Sequence, residues 1–187
     1  MKLVDMVESQ IIASVKNEED LQAALTSNAN IVFLLTGNLM TITDYIHQLR
    51  AADKHVFLHL DFIDGLSNSK NALNYVAEFW NPTGIITTKS HIVKMAKEVG
   101  LNTIQRIFLL DWAAINKGIE MVKSCKPDAV EIMPGIIPKV IDQLSRELDY
   151  PIIAGGLIND ISEVHAALEA GALAVSSGKP HMWNFDL

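Results

Sequence analysis

Residues 127–158, PDAVEIMPGIIPKVIDQLSRELDYPIIAGGLI, carry the pattern on which the fold turns. Ala129–Met133 is a short apolar run, Pro138–Leu148 has amphipathic helical spacing, and Ile152–Ala154 is a second apolar run. Pro127 and Pro151 stand in the turns that lead into the two runs. Apolar runs this short suit strands buried on both faces. Strand, helix and strand in that order pair in parallel through a right-handed crossover.

The same unit recurs in both directions along the chain. Ile11–Val15, Ile31–Leu35, Val56–Asp61, Gly84–Thr88, Thr103–Asp111 and Ala172–Ser176 join the two runs above as candidate strands. Between them Glu18–Ser27, Thr43–Ala52, Asn71–Trp80, His91–Val99, Ala113–Cys125 and Ile161–Ala170 repeat the helical spacing. Gly100 and Gly171 stand where helices stop, and Asn17, Thr43 and Asp160 where they are capped. Eight strands alternating with helices predict an α/β fold, a compact (β/α)8 TIM-like barrel. Such barrels typically have ~250 residues, so 187 leaves no room for long insertions. The rival, an open doubly wound sheet, lacks its usual glycine-rich turn after the first strand. No internal repeat or linker is visible, and a single domain over residues 1–187 is expected.

Composition agrees. With 49% hydrophobic and 20% charged residues the chain is no disordered segment, and at this length ~70% of the unfolded surface can be buried. Cys125 is alone, which excludes a disulfide scaffold, suits a reducing compartment and reads as an inert thiol. Fifteen Lys and Arg against 22 Asp and Glu give −7, which argues against a broad polyanion-binding face but leaves room for a local basic patch. Met1–Glu8 carries Asp5 and Glu8 and no long apolar core, and no run reaches the ~20 residues of a membrane span. The expectation is a cytoplasmic protein with no membrane partner. Oligomeric state is not fixed, and a homo-oligomer stays open.

Strand parity assigns the lumen. In the third strand Val56, Leu58 and Leu60 face the helices, while His55, Phe57, His59 and Asp61 face inward. In the sixth, Ala129, Glu131 and Met133 face inward. A buried Glu131 needs a partner, and Arg106 on the fifth strand is the candidate. The pair reads either as a structural bridge closing the barrel floor or as a ligand group. Sites of such barrels lie at the carboxyl ends of strands, and the loops after strands seven and eight hold phosphoryl groups through backbone N–H donors. Here those loops are AGGLI, with Gly155 and Gly156, and VSSGKP, with Ser176 and Ser177. The expected ligand is a phosphorylated small molecule, with Asp61, Lys89, Arg106 and Glu131 lining the same end.

An enzyme of phosphorylated sugars or trioses is the alternative, with His59, Asp61 or Lys89 as acid, base or Schiff-base group. The six histidines are scattered and no metal-ligand spacing is present, so no metal is expected.

The strand-end segments are also recognisable. HLDFIDGLSNSK at 59–70, PTGIITTKSHIVKMAKEVGLNTIQRIFLLD at 82–111, KPDAVEIMPGIIPKVI at 126–141, PIIAGGLI at 151–158 and AGALAVSSGKPHMW at 170–183 resemble the bacterial glycerol uptake operon antiterminator family. The resemblance runs from about Ile11 to Trp183. It implies a barrel-like regulator, not an enzyme. Its effector would be glycerol 3-phosphate, with no cofactor, and its target the leader mRNA of glycerol-utilisation operons. Two departures stand out: Trp112 after Asp111, and Gly178–Lys179–Pro180 after the serine pair, each where a more polar residue or stretch is expected.

The RNA partner comes from the resemblance alone. No RNA-reading module is present. Lys89, Lys94 and Lys97, with Lys123 and Lys126, form only a modest basic cluster whose plainer reading is a solvated helix surface.

Overall fold

The computed structural model describes residues 2–185. Its eight strands close into a parallel barrel in sequence order: β1 Ile11–Val15, β2 Ile31–Leu34, β3 His55–His59, β4 Gly84–Thr87, β5 Asn102–Phe108, β6 Ala129–Met133, β7 Ile152–Gly155 and β8 Ala174–Ser177. The helices are α1 Leu3–Met6, α2 Glu18–Thr26, α3 Ile42–Ala51, α4 Lys70–Tyr75, α5 Ser90–Glu98, α6 Trp112–Cys125, α7 Pro138–Glu147 and α8 Ile161–Glu169. The (β/α)8 barrel read from the alternation is the observed fold.

Differences from the sequence reading fall at element ends, where side chains redirect the backbone. The third strand stops at His59, because Leu60–Phe62 coil into a 3-10 turn that carries Asp61 to the rim. The fifth stops at Phe108, and Asp111 becomes the cap of α6, its Oδ1 accepting from the Ala114 amide at 2.7 Å. The eighth begins at Ala174 and runs through Ser177. Asn17 and Asp160 cap α2 and α8 as expected, Asp160 in a reciprocal capping box with Glu163. Thr43 does not cap. It sits inside the first turn of α3, and Asn38 organises that entry by accepting from the Met40 and Thr41 amides. The predicted Asn71–Trp80 helix starts one residue earlier, capped by Ser69, and its last turn, Val76–Trp80, widens to π-helical spacing.

Two apolar layers hold the barrel. Val56, Leu58, Val130 and Ile132 pack outward under the helices, and Phe33, Phe57, Ile104 and Ile153 fill the lumen. In such a barrel each lumen layer takes one residue from every second strand. The register stacks Ile12, Phe57, Ile104 and Ile153, then Phe33, Ile86, Glu131 and Ser176, then Ser14, His59, Arg106 and Gly155 at the carboxyl-end mouth. The first layer is wholly apolar, the second mixes Phe33 and Ile86 with Glu131 and Ser176, and the third carries Ser14, His59 and Arg106, so the lumen is core below and polar above. The opposite end is plugged by α1, whose Leu3 and Met6 join the lumen cluster. Asn30 ties that plug down: its Nδ2 donates to the Met6 carbonyl at 2.6 Å, and its Oδ1 accepts from the Ser9 amide. The floor is therefore an apolar plug, and the Arg106–Glu131 pair lies well above it.

Candidate ligand-binding site at the carboxyl end of the barrel

Arg106 and Glu131 are register partners on β5 and β6, and both point into the lumen. Arg106 Nε donates to Glu131 Oε2 at 2.5 Å, and Ser176 Oγ donates to Glu131 Oε1 at 2.6 Å. Glu131 has no exposed surface, so a carboxylate this deep is tolerable only with both oxygens occupied, as they are. The terminal guanidinium nitrogens of Arg106 make no hydrogen bond among the described residues, and Arg106 lines a cavity of about 320 Å³.

That cavity sits over β7, β8 and β1. Of the predicted site residues Arg106, Glu131, Gly156, Ser176 and Ser177 line it; Gly155, Asp61 and Lys89 do not. Gly155 has a different role. A Cβ there would lie 2.7 Å from Glu131 Oε1 and also strike Ser176 Oγ, so its missing side chain makes room for the Glu131–Ser176 bond. Ser177 turns its hydroxyl away from the lumen. Its Oγ accepts from the Lys179 amide at 3.2 Å and touches Met182, while its carbonyl accepts from the Trp183 indole at 2.8 Å.

Sequence reasoning missed Lys16 and Lys179 as cavity residues. Lys16 follows β1, a strand end outside the rim read from the sequence. Its ammonium lies directly on Gly178, where any side chain would collide with it. The Gly178–Lys179–Pro180 departure thus supplies one cation and seats another. No protein group among the described residues accepts from the backbone N–H of Gly156, Leu157 or Gly178. Three cationic side chains, one neutralised carboxylate and unused N–H donors make this a place for an anion.

Asp61 and Lys89 meet across the mouth instead. Lys89 Nζ and Asp61 Oδ1 are 2.5 Å apart, and Thr87 Oγ1 donates to Asp61 Oδ2 at 3.3 Å. Burial acts to raise the Asp61 pKa, but the Lys89 bond and charge outweigh it and hold the carboxyl below its ordinary value. The design at Lys89 occurs twice. Thr87 Oγ1 accepts from the Lys89 amide at 3.2 Å, as Ser177 Oγ does from Lys179, and IITTKSHI at 85–92 parallels VSSGKPHM at 175–182. This half-barrel correspondence escapes a plain search for repeats, because only the lysine, the histidine and hydroxyl chemistry survive in it. The two copies differ in one respect that matters: beside β4 an internal carboxylate takes the lysine, and beside β8 none among the described residues does.

His59 occupies the same lumen layer as Arg106, is 2% exposed, and has hydrogen-bond partners for neither ring nitrogen. Burial, then the Arg106 charge, push its pKa down from 6.5 to about 4, against the raising effect of Asp61. It is a neutral imidazole at ordinary pH. Cys125 is buried behind β5, its thiol donating to Gln105 Oε1 at 3.6 Å, and burial raises its pKa. Trp112 is 55% exposed at the start of α6 and does not fill the cavity. The α5 lysines are engaged within the chain, Lys94 with Ser124 Oγ at 3.0 Å and Lys97 with the Lys126 carbonyl. Among the described residues no three His, Cys, Asp or Glu gather as a metal site, and no helix is long and apolar enough to cross a membrane.

Solved and curated proteins share this fold and sequence. A crystal structure of a glycerol uptake operon antiterminator regulatory protein from Listeria monocytogenes superposes with a TM-score of 0.92, at 31% identity over 98% of each chain. A glycerol uptake operon antiterminator-related protein from Thermotoga maritima superposes at 0.82, with 29% identity over 92% of this chain and 96% of the other. The uncharacterized protein YgcP of Escherichia coli K12 is 32% identical over 94% of this chain and 92% of its own length. Residues 11–183 match the family described as glycerol-3-phosphate responsive antiterminator, and the chain belongs to that family.

Proposed function

We propose that this protein senses glycerol 3-phosphate and, when loaded, acts on the leader mRNA of glycerol-utilisation operons so that transcription passes a terminator. The observation that carries the reading is the anion site over β7, β8 and β1. Lys16 and Lys179 face a cavity whose loop N–H groups are unused, in a chain of this family. The phosphoryl group sits against Gly156, Gly178 and the two lysines. Lys89 is a poor competitor for it, since Asp61 already neutralises that ammonium.

The protein acts as a regulator and not as an enzyme, in the cytoplasm and without a cofactor beyond its effector. The groups named for acid–base or Schiff-base chemistry do not converge on the cavity: Lys89 is tied to Asp61, and His59 lies neutral and buried below them. Binding orders the loops after β7, β8 and β1, and the mouth they frame then meets RNA or a second copy of the chain. A ligand shifts that equilibrium only as far as its affinities for the two states differ. Phe108 and Trp112, half-exposed at the β5–α6 edge of the mouth, offer flat faces for unpaired bases.

The test is binding of a glycerol-operon leader transcript with and without glycerol 3-phosphate, over a series of salt concentrations. Ligand-dependent, salt-sensitive binding supports the reading. Turnover of glycerol 3-phosphate or another phosphorylated triose, with no RNA binding, replaces it with the enzyme alternative.

A further inference from the structure

His59 is the one side chain of the described residues with buried polar atoms that lack any hydrogen-bond partner, and both ring nitrogens are affected. The Asp61 Oδ2 oxygen is 3.8 Å from Nδ1, beyond hydrogen-bond reach. Phe62 packs edge-on against the ring at a centroid distance of 4.6 Å. Burying a polar group unpaired is costly, and such groups in folded proteins ordinarily have a partner. If the position served packing alone, an apolar ring would fill it without that cost, as Phe57 does two layers below on the same strand.

The place of His59 in the layer matters. Ser14, His59, Arg106 and Gly155 form the last lumen layer, with His59 across the barrel from Gly155, which projects no side chain. Ser14 and Arg106, the layer's other two side chains, both line the cavity. The imidazole shares that layer without itself lining the cavity, and Ser14 and Arg106 are the layer-mates that separate it from the open space. It faces the side away from Lys16 and Lys179. The Asp61 carboxylate beside it repels a phosphoryl group. The nearby carboxylate also favours the ring proton on Nδ1, which leaves Nε2 as an acceptor.

We propose that His59 is a specificity-determining residue that reads the hydroxyl-bearing end of the ligand, an uncharged polyol carbon chain whose phosphoryl group lies across the mouth on the β7–β8 loops. This rests on the phosphoryl placement given above and adds an orientation to it. The imidazole accepts from a hydroxyl that then donates toward it, and the ring gains the partner it lacks. A phosphate ester without hydroxyls leaves it unpaired.

Calorimetric titration of the full chain with glycerol 3-phosphate, propyl phosphate and inorganic phosphate tests the idea. The wild-type protein is expected to prefer glycerol 3-phosphate over propyl phosphate by about tenfold or more, the worth of one hydrogen bond. In His59→Phe that preference collapses, through weaker glycerol 3-phosphate binding at nearly unchanged propyl phosphate binding, and His59→Gln restores part of it. Retained preference in His59→Phe, or an equal loss for both esters, overturns the proposal. Absence of binding of any phosphate ester to the wild type instead removes the phosphoryl site itself, and with it the ground for this inference. The 15N resonances of His59 give a readout free of any variant. They shift with glycerol 3-phosphate and not with propyl phosphate, and an unmoved signal at saturating glycerol 3-phosphate overturns the proposal.

Discussion

Asp61 Oδ1 and Lys89 Nζ lie 2.5 Å apart at the ends of β3 and β4, whereas Lys179, in the matching position after β8, has no carboxylate partner among the described residues. The residue that answers to Asp61 after β7 is Leu157, 65% exposed. Two similar strand ends thus differ in electrostatic state. One is closed by an internal anion, and the other is open to an external one.

Removing Glu131 leaves the Arg106 guanidinium buried without a counter-charge. Glu131→Ala should destabilise the fold by about 3–5 kcal/mol, as breaking one side of a buried ion pair does. Urea unfolding measures it. The double replacement Arg106→Met with Glu131→Met should be far milder than Glu131→Ala alone, because no orphan charge remains. A double variant as unstable as the single one contradicts the ion-pair account.

Gly155→Ala places a methyl group against Glu131 Oε1 and Ser176 Oγ. Neither atom can retreat without breaking the hydrogen bond between them. The cost should be about 1–3 kcal/mol in thermal or urea unfolding, the usual range for overpacking. Adding Ser176→Gly should recover part of it, since one of the two colliding atoms is then gone.

Stability should fall as the solution is acidified between pH 6.5 and about 4. His59 takes a proton near 6.5 when unfolded, but only near 4 when folded, held down by burial first and then by Arg106. Through that window the unfolded chain binds more protons, so the stability present above pH 6.5 is lost as pH falls, by roughly 3 kcal/mol in all. Asp61 and Lys89, which also face the ring, shift it in opposite directions. The Asp61 carboxyl, depressed by Lys89, adds a further loss at lower pH, as pH falls through its own folded value. Urea unfolding of the wild type and His59→Phe across pH 4–8 checks this. The variant should lack the slope between pH 6.5 and 4.

Much of the barrel was legible in the sequence, because strands buried on both faces leave short apolar runs and strand parity then fixes the lumen row. Parity put Glu131 inside, and its need for a cation then selected Arg106 as the partner, since only a cation relieves a buried carboxylate. What escaped was decided by contacts between distant segments. The Asp61–Lys89 ion pair could not be read, because it depends on the 3-10 turn at Leu60–Phe62. Lys16 was passed over because a lysine after a strand looks like any surface lysine, and only its contact with Gly178 marks it. Gly155 was read as an opening for phosphate, and the clearance it also gives Glu131 and Ser176 depends on side chains from two other strands. The α1 plug gave no signal, as four residues are too few for a period to register.

The most direct test of the phosphoryl site is titration of glycerol 3-phosphate into the wild-type protein, Lys16→Ala/Lys179→Ala and Lys89→Ala under identical buffer. The wild type and Lys89→Ala should bind with similar affinity, while the double variant loses at least about tenfold, the equivalent of one charge-assisted hydrogen bond. Full affinity in Lys16→Ala/Lys179→Ala, or a loss confined to Lys89→Ala, would place the phosphoryl group on the wrong side of the mouth and contradict the site described above.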